Sequence, residues 1–90
     1  MGILRALMND SEAWVRSGVA SNALTPPDLL ARLSQDPDDD VRDSVARNPA
    51  TPLRHLVELI RDEPDDVRRA AIENPSLLLE DLLEKNVTTL

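Results

Sequence analysis

The chain repeats itself every 26 residues. Val15-Arg16-Ser17-Gly18-Val19-Ala20-Ser21-Asn22 aligns without a gap with Val41-Arg42-Asp43-Ser44-Val45-Ala46-Arg47-Asn48. It aligns again with Val67-Arg68-Arg69-Ala70-Ala71-Ile72-Glu73-Asn74. The columns Val15/Val41/Val67, Arg16/Arg42/Arg68 and Asn22/Asn48/Asn74 each hold one residue type. Leucines keep the same period at Leu4/Leu30/Leu56/Leu82, with Leu7/Leu33/Leu59 three residues on. A period of this length belongs to stacked-repeat architectures, in which no unit can bury its own apolar face and neighbours share a core.

Each unit reads as two short helices. Asp40-Val41-Arg42-Asp43-Ser44-Val45-Ala46 opens on an aspartate suited to an N-cap and places Val41 and Val45 on one face. Asn48-Pro49 ends it, because the residue before a proline is pushed out of the helical region. Thr51-Pro52 then restarts a helix, with Thr51 as N-cap and Pro52 at the first helical position; Leu56, Leu59 and Ile60 form its apolar stripe. Thr25-Pro26-Pro27-Asp28 does the same one unit earlier, and Asp36–Asp40 and Asp62–Asp66 are Asp/Pro turns. Nothing alternates with period two. The expectation is an all-α chain, a short right-handed solenoid of about three 26-residue two-helix repeats. It forms a single domain over 1–90, with a partial repeat at 1–9, units near 10–35, 36–61 and 62–86, and a tail at 87–90.

Composition removes several function classes. The chain has no cysteine, which excludes disulfides, thiolate zinc sites and iron–sulfur clusters. Ten basic against 17 acidic residues leave a net charge of −7, the wrong sign for holding a nucleic-acid backbone. Apolar runs stop at three residues, as in Leu77–Leu79, so no membrane span fits, and Met1–Met8 lacks the build of a secretory signal. A cytoplasmic location is expected. His55 stands without a second histidine, and Gly2 and Gly18 are the only glycines, so neither a catalytic dyad nor a phosphate-cradling loop can be assembled. No catalytic residue, cofactor or metal is expected.

The string Val-Arg-x-x-Val-Ala-x-Asn-Pro-x-Thr-Pro-x-x-x-Leu-x-x-Leu resembles the leucine-rich repeat variant family of bacterial proteins. Residues 41–59 carry it most fully, through Val41, Arg42, Val45, Ala46, Asn48, Pro49, Thr51, Pro52, Leu56 and Leu59, and the resemblance extends over about 10–84. It implies alternating short 3₁₀-like helices and α-helices wound into a superhelix, so the Val-Arg-x-x-Val-Ala segments are expected to be short α- or 3₁₀-like helices. The iron–sulfur segment of the family's best-known member is not carried over, since the chain lacks cysteine. The resemblance brings no catalytic activity with it. Asp66-Val67-Arg68-Arg69-Ala70-Ala71 is also similar to a short HEAT-like repeat, but the proline-marked second helix favours the first family.

Four features are candidates for function. The asparagine column is expected to satisfy backbone groups in its own turns, and the arginine column to pair with turn acids such as Asp40, Asp43 or Asp66. The turns stack Asp36, Asp38, Asp39 and Asp40 beside Asp62, Glu63, Asp65 and Asp66, an acidic edge serving solubility and capping or else attracting a basic protein or mimicking nucleic-acid phosphate; for calcium the loops lack the Asp-x-Asp-x-Asp-Gly spacing. Trp14 breaks the column occupied by Asp40 and Asp66, and either seals the first unit's core or anchors an interface. The two ends differ: Glu80, Asp81, Glu84 and Lys85 make a polar C-terminal cap, whereas Ile3, Leu4, Leu7 and Met8 keep the apolar pattern with no unit before them. The resulting expectation is a non-catalytic protein–protein interaction module. Its partner surface, through which it can also self-associate, draws on Ile3, Leu4, Leu7, Trp14, Asp39, Asp40, Asp65 and Asp66. The competing expectation is an acidic inhibitor or immunity-type protein that neutralises a basic enzyme or nucleic-acid-binding protein.

Overall fold

The computed structural model describes residues 2–77, and among these all regular structure is helical. Six α-helices follow in order: α1 (Gly2–Leu7), α2 (Ala13–Ser21), α3 (Pro27–Leu33), α4 (Asp39–Arg47), α5 (Leu53–Leu59) and α6 (Asp65–Ile72). Helices α2, α4 and α6 begin 26 residues apart, as do α3 and α5. The even helices pack side by side in chain order; α3 fits between α2 and α4, α5 between α4 and α6, and α1 against α2. The expected polar cap at Glu80, Asp81, Glu84 and Lys85, with Leu82 and the tail, lies outside the described residues.

The core follows the sequence columns. Val19, Leu29, Leu33, Val41, Val45, Leu56, Leu59, Val67 and Ala71 form one buried cluster, with Leu4, Ala13, Ile60 and Leu77 packed against it. With no Phe or Tyr in the chain, aliphatic contacts and small alanines fill this space. Ala20 and Ala46 are fully buried at contacts between successive units, and a larger side chain there would overpack the contact.

One open alternative is decided and two local expectations are corrected. The Val-Arg-x-x-Val-Ala segments are not 3₁₀-like: α2, α4 and α6 are α-helices of eight or nine residues, beyond the length that weaker 3₁₀ hydrogen bonding sustains. The N-cap of α4 is Asp38, not Asp40; the Asp38 carboxylate accepts from the Asp40 N–H at 2.8 Å, leaving Asp40 inside the first turn. Thr25 and Thr51 do not cap the helices that follow. Their hydroxyls are buried and donate backwards, to Val19 O at 2.6 Å and Val45 O at 2.7 Å, closing the ends of α2 and α4.

The asparagine column reaches further than its own turn. Each carboxamide oxygen accepts a local backbone N–H, from Leu24, Ala50 or Ser76. The Asn48 amide, however, donates to Ala20 O at 2.8 Å and Asn22 O at 3.0 Å, both in the unit before. Asn74 repeats this with Ala46 O at 2.7 Å and Asn48 O at 2.9 Å. One side chain thereby fixes its own turn and supplies donors to two carbonyls at the preceding helix end; burial would otherwise leave that of Ala20 or Ala46 unpaired, while those of Asn22 and Asn48 also accept the N–H of Thr25 and Thr51. Asn22, in the same column, is exposed, and its amide donates to no group among the described residues. We expect Asn48→Ala to lower stability by about 2–4 kcal/mol and Asn22→Ala by about 1 kcal/mol or less in urea unfolding. Equal losses at the two positions would contradict the inter-repeat role.

Candidate functional site

The expected partner residues fall into two groups. At the N-terminal end, α1 and α2 enclose an apolar cleft lined by Leu4, Leu7, Trp14, Val15 and Val19, with Asn22 at its edge. Leu4 is half-buried against the core, while Ile3 and Leu7 are exposed. Trp14, in the first turn of α2, is 75% exposed and so does not seal the core. Ile3 is 70% exposed and stands beside this group in α1, outside the residues that line the cleft. Met8, whose N–H donates to Leu4 O, is buried in the core.

The second group is the acidic edge. Asp39 and Asp40 occupy the first turn of α4, Asp65 and Asp66 that of α6, and all four are exposed. They sit at helix N-termini, where the positive end of the helix dipole favours a carboxylate. Asp65 pairs with Arg68 one turn on. Asp38, Asp39 and Asp40 are the one acidic group among the described residues whose oxygens all approach within 4.8 Å; Asp38 is engaged in capping.

Part of the edge is neutralised. The Arg16 guanidinium grips the Asp36 carboxylate with two hydrogen bonds, Nε to Oδ2 at 2.7 Å and Nη2 to Oδ1 at 3.0 Å. Its third nitrogen donates to Asp10 O at 2.8 Å. Arg42 does the same one period later, to Asp62 at 2.7 and 3.1 Å and to Asp36 O at 2.8 Å. Arg68 donates to Asp62 O and Glu63 O. The arginines pair with turn acids as expected, but Asp36 and Asp62 replace the anticipated Asp40, Asp43 and Asp66. The signal was present in the spacing: Asp10, Asp36 and Asp62 form their own 26-residue column, six residues before one arginine and, for Asp36 and Asp62, twenty after another.

Such bidentate pairs between adjacent units act as latches. Burial works against ionisation of Asp36, but the Arg16 hydrogen bond, the Asp38 N–H and the charges of Arg16 and Arg42 outweigh it and hold the carboxyl below its ordinary value. A depressed carboxylate stabilises the fold fully above its unfolded value, near 4, and that contribution disappears as pH falls through the folded value. Thermal unfolding is therefore expected to be insensitive to the Asp36 pair down to about pH 5 and to lose stability below about pH 4. Asp36→Asn should melt lower at neutral pH and show a shallower acid loss. An unchanged acid profile in this variant would contradict the latch.

No helix among the described residues is long and apolar enough to cross a membrane. No curated protein and no solved structure is a significant match to the chain. Residues 13–38, one full period from the start of α2 through α3 to the capping turn of α4, match the family model described as leucine rich repeat variant. Over that one period the repeat is similar to the family.

Proposed function

We infer that the chain is a non-catalytic protein–protein interaction module, a right-handed solenoid of three repeats that works in the cytoplasm and presents its N-terminal end to a protein partner. The observation that carries this reading is Trp14. It is the chain's only aromatic residue, it stands where the other repeats hold Asp40 and Asp66, and it lies 75% exposed beside Leu4 and Leu7. A tryptophan left in water next to an apolar cleft favours association, because burying it releases a large apolar surface at small entropic cost. Ile3 extends the same surface, which would also serve a second copy of the chain.

The alternative, an acidic inhibitor or immunity-type protein for a basic enzyme or nucleic-acid-binding protein, is favoured by the four exposed carboxylates Asp39, Asp40, Asp65 and Asp66 and the net charge of −7. The arginine latches withdraw Asp36 and Asp62 from that surface, which weakens this reading relative to the first.

Salt separates them, since charge-driven complexes weaken steeply with ionic strength and apolar interfaces do not. In affinity capture from the native cell, a stoichiometric protein partner retained at high salt and lost in Trp14→Ala is expected. A basic partner released by salt equally from both versions would transfer the assignment to the acidic edge. Static light scattering over a concentration series reads self-association in the same preparations.

A further inference from the structure

The cleft on the other side of Trp14 has a different chemistry. Between α2 and α4 it is lined by Trp14 and Ser17 from one helix and by Asp40, Asp43 and Ser44 from the next, and it encloses about 380 Å³. The Ser17 and Ser44 hydroxyls share one short hydrogen bond of 2.6 Å. Asp43 uses one carboxylate oxygen, Oδ2, to accept from Arg47 Nε at 2.9 Å. The other, Oδ1, is shielded from solvent and has no hydrogen-bond partner.

An enclosed carboxylate oxygen without a donor is an unmet demand. The terminal torsion of an aspartate is broad, so the carboxylate can turn toward the cleft at little cost. The Arg47 pair is an exposed contact within one helix, of the kind that holds a side chain only weakly. An aromatic ring and two carboxylates from adjacent helices are the components that recognise a guanidinium, which the ring's π face attracts while its N–H groups meet carboxylate oxygens. The repeat prepares this chemistry in one place only. The next unit has Asp40, Asp43, Asp66, Arg69 and Ala70 at the matching positions, so the ring gives way to an aspartate and the Asp43 carboxylate to an arginine.

We propose that the Trp14–Asp40–Asp43 cleft is a binding site for an arginine side chain of a partner protein. The inference rests on the interaction-module reading and deepens it: the apolar cleft of Leu4 and Leu7 and the cationic cleft meet at the same tryptophan, so the partner offers an arginine next to an apolar residue. Lysine fits less well, because a compact ammonium cannot present two parallel N–H groups to carboxylates while lying flat on a ring.

Trp14 is the only tryptophan, so its fluorescence reports on the cleft directly. Titration with N-acetyl-arginine amide at constant ionic strength should give a saturable change in the millimolar range. N-acetyl-lysine amide should bind more weakly, and the neutral N-acetyl-citrulline amide should give no saturation. Asp43→Asn should weaken arginine binding by roughly three- to fivefold with unchanged helicity, and Glu58→Gln, at an exposed position of α5, should leave it unaltered. Absence of saturation, or equal responses to arginine and citrulline, would overturn the cation site, as would undiminished binding in Asp43→Asn. If a protein captured through Trp14 from the native cell still binds in that case, the interaction module stands without it.

Discussion

A single carboxamide per repeat holds the units in register. Asn48 and Asn74 each spend their oxygen on the turn that follows and their amide on two carbonyls of the unit before. The Ala20 and Ala46 carbonyls lie near the end of the preceding even-numbered helix in buried contacts and need a donor that water can no longer supply, while the Asn22 and Asn48 carbonyls also accept the N–H of Thr25 and Thr51. The same contact requires a small residue at the helix end, which explains Ala20 and Ala46, and a helix that ends on schedule, which the buried threonine hydroxyls secure. Proline is secondary to this. Asn22 adopts the same extended backbone as Asn48, with ψ of 123° and 120°, although an alanine follows it rather than a proline.

The arginine latches form a second ladder along the opposite end of the even helices, joining Arg16 and Arg42 to the aspartates twenty residues on. Together the two ladders divide the polar residues of the repeat into those that build it and those left over. Asp36, Asp62 and Asp38 belong to the structure; Asp39, Asp40 and Asp66 remain open to solvent. The asymmetry at the N-terminal end has the same origin. The first asparagine is exposed, and the column that carries a capping-turn acid in later units carries Trp14 instead. Regularity in the interior thus makes the departures at one end stand out as chemistry rather than architecture.

Much of this was legible in the sequence, because a repeat averages away local ambiguity. Invariant columns at a fixed period identified the helix pairs and the core residues Val41, Val45, Leu56 and Leu59, all buried as expected. What escaped was every interaction whose partner lies in another unit. Asn48 to Ala20 spans 28 residues and Arg16 to Asp36 spans 20, and no local rule assigns either. Thr51 was read as a cap for the helix after it, since Thr-Pro commonly opens a helix; tertiary burial turned its hydroxyl to the helix before it. The 3₁₀ alternative came from resemblance, and the capped eight- and nine-residue α-helices decide against it. At the candidate site, the sequence singled out Trp14 and Leu4 but gave no hint that Asp43, which lines the same tryptophan's cleft, carries a buried oxygen without a hydrogen-bond partner.

The inter-repeat asparagine bond is open to direct observation through the side-chain carboxamide protons. Hydrogen exchange followed by nuclear magnetic resonance should find the amide protons of Asn48 and Asn74 strongly protected and those of Asn22 exchanging at the rate of a solvated side chain. Uniformly fast exchange at all three would mean that the units are held by apolar packing alone and that the carboxamide ladder does not set their register.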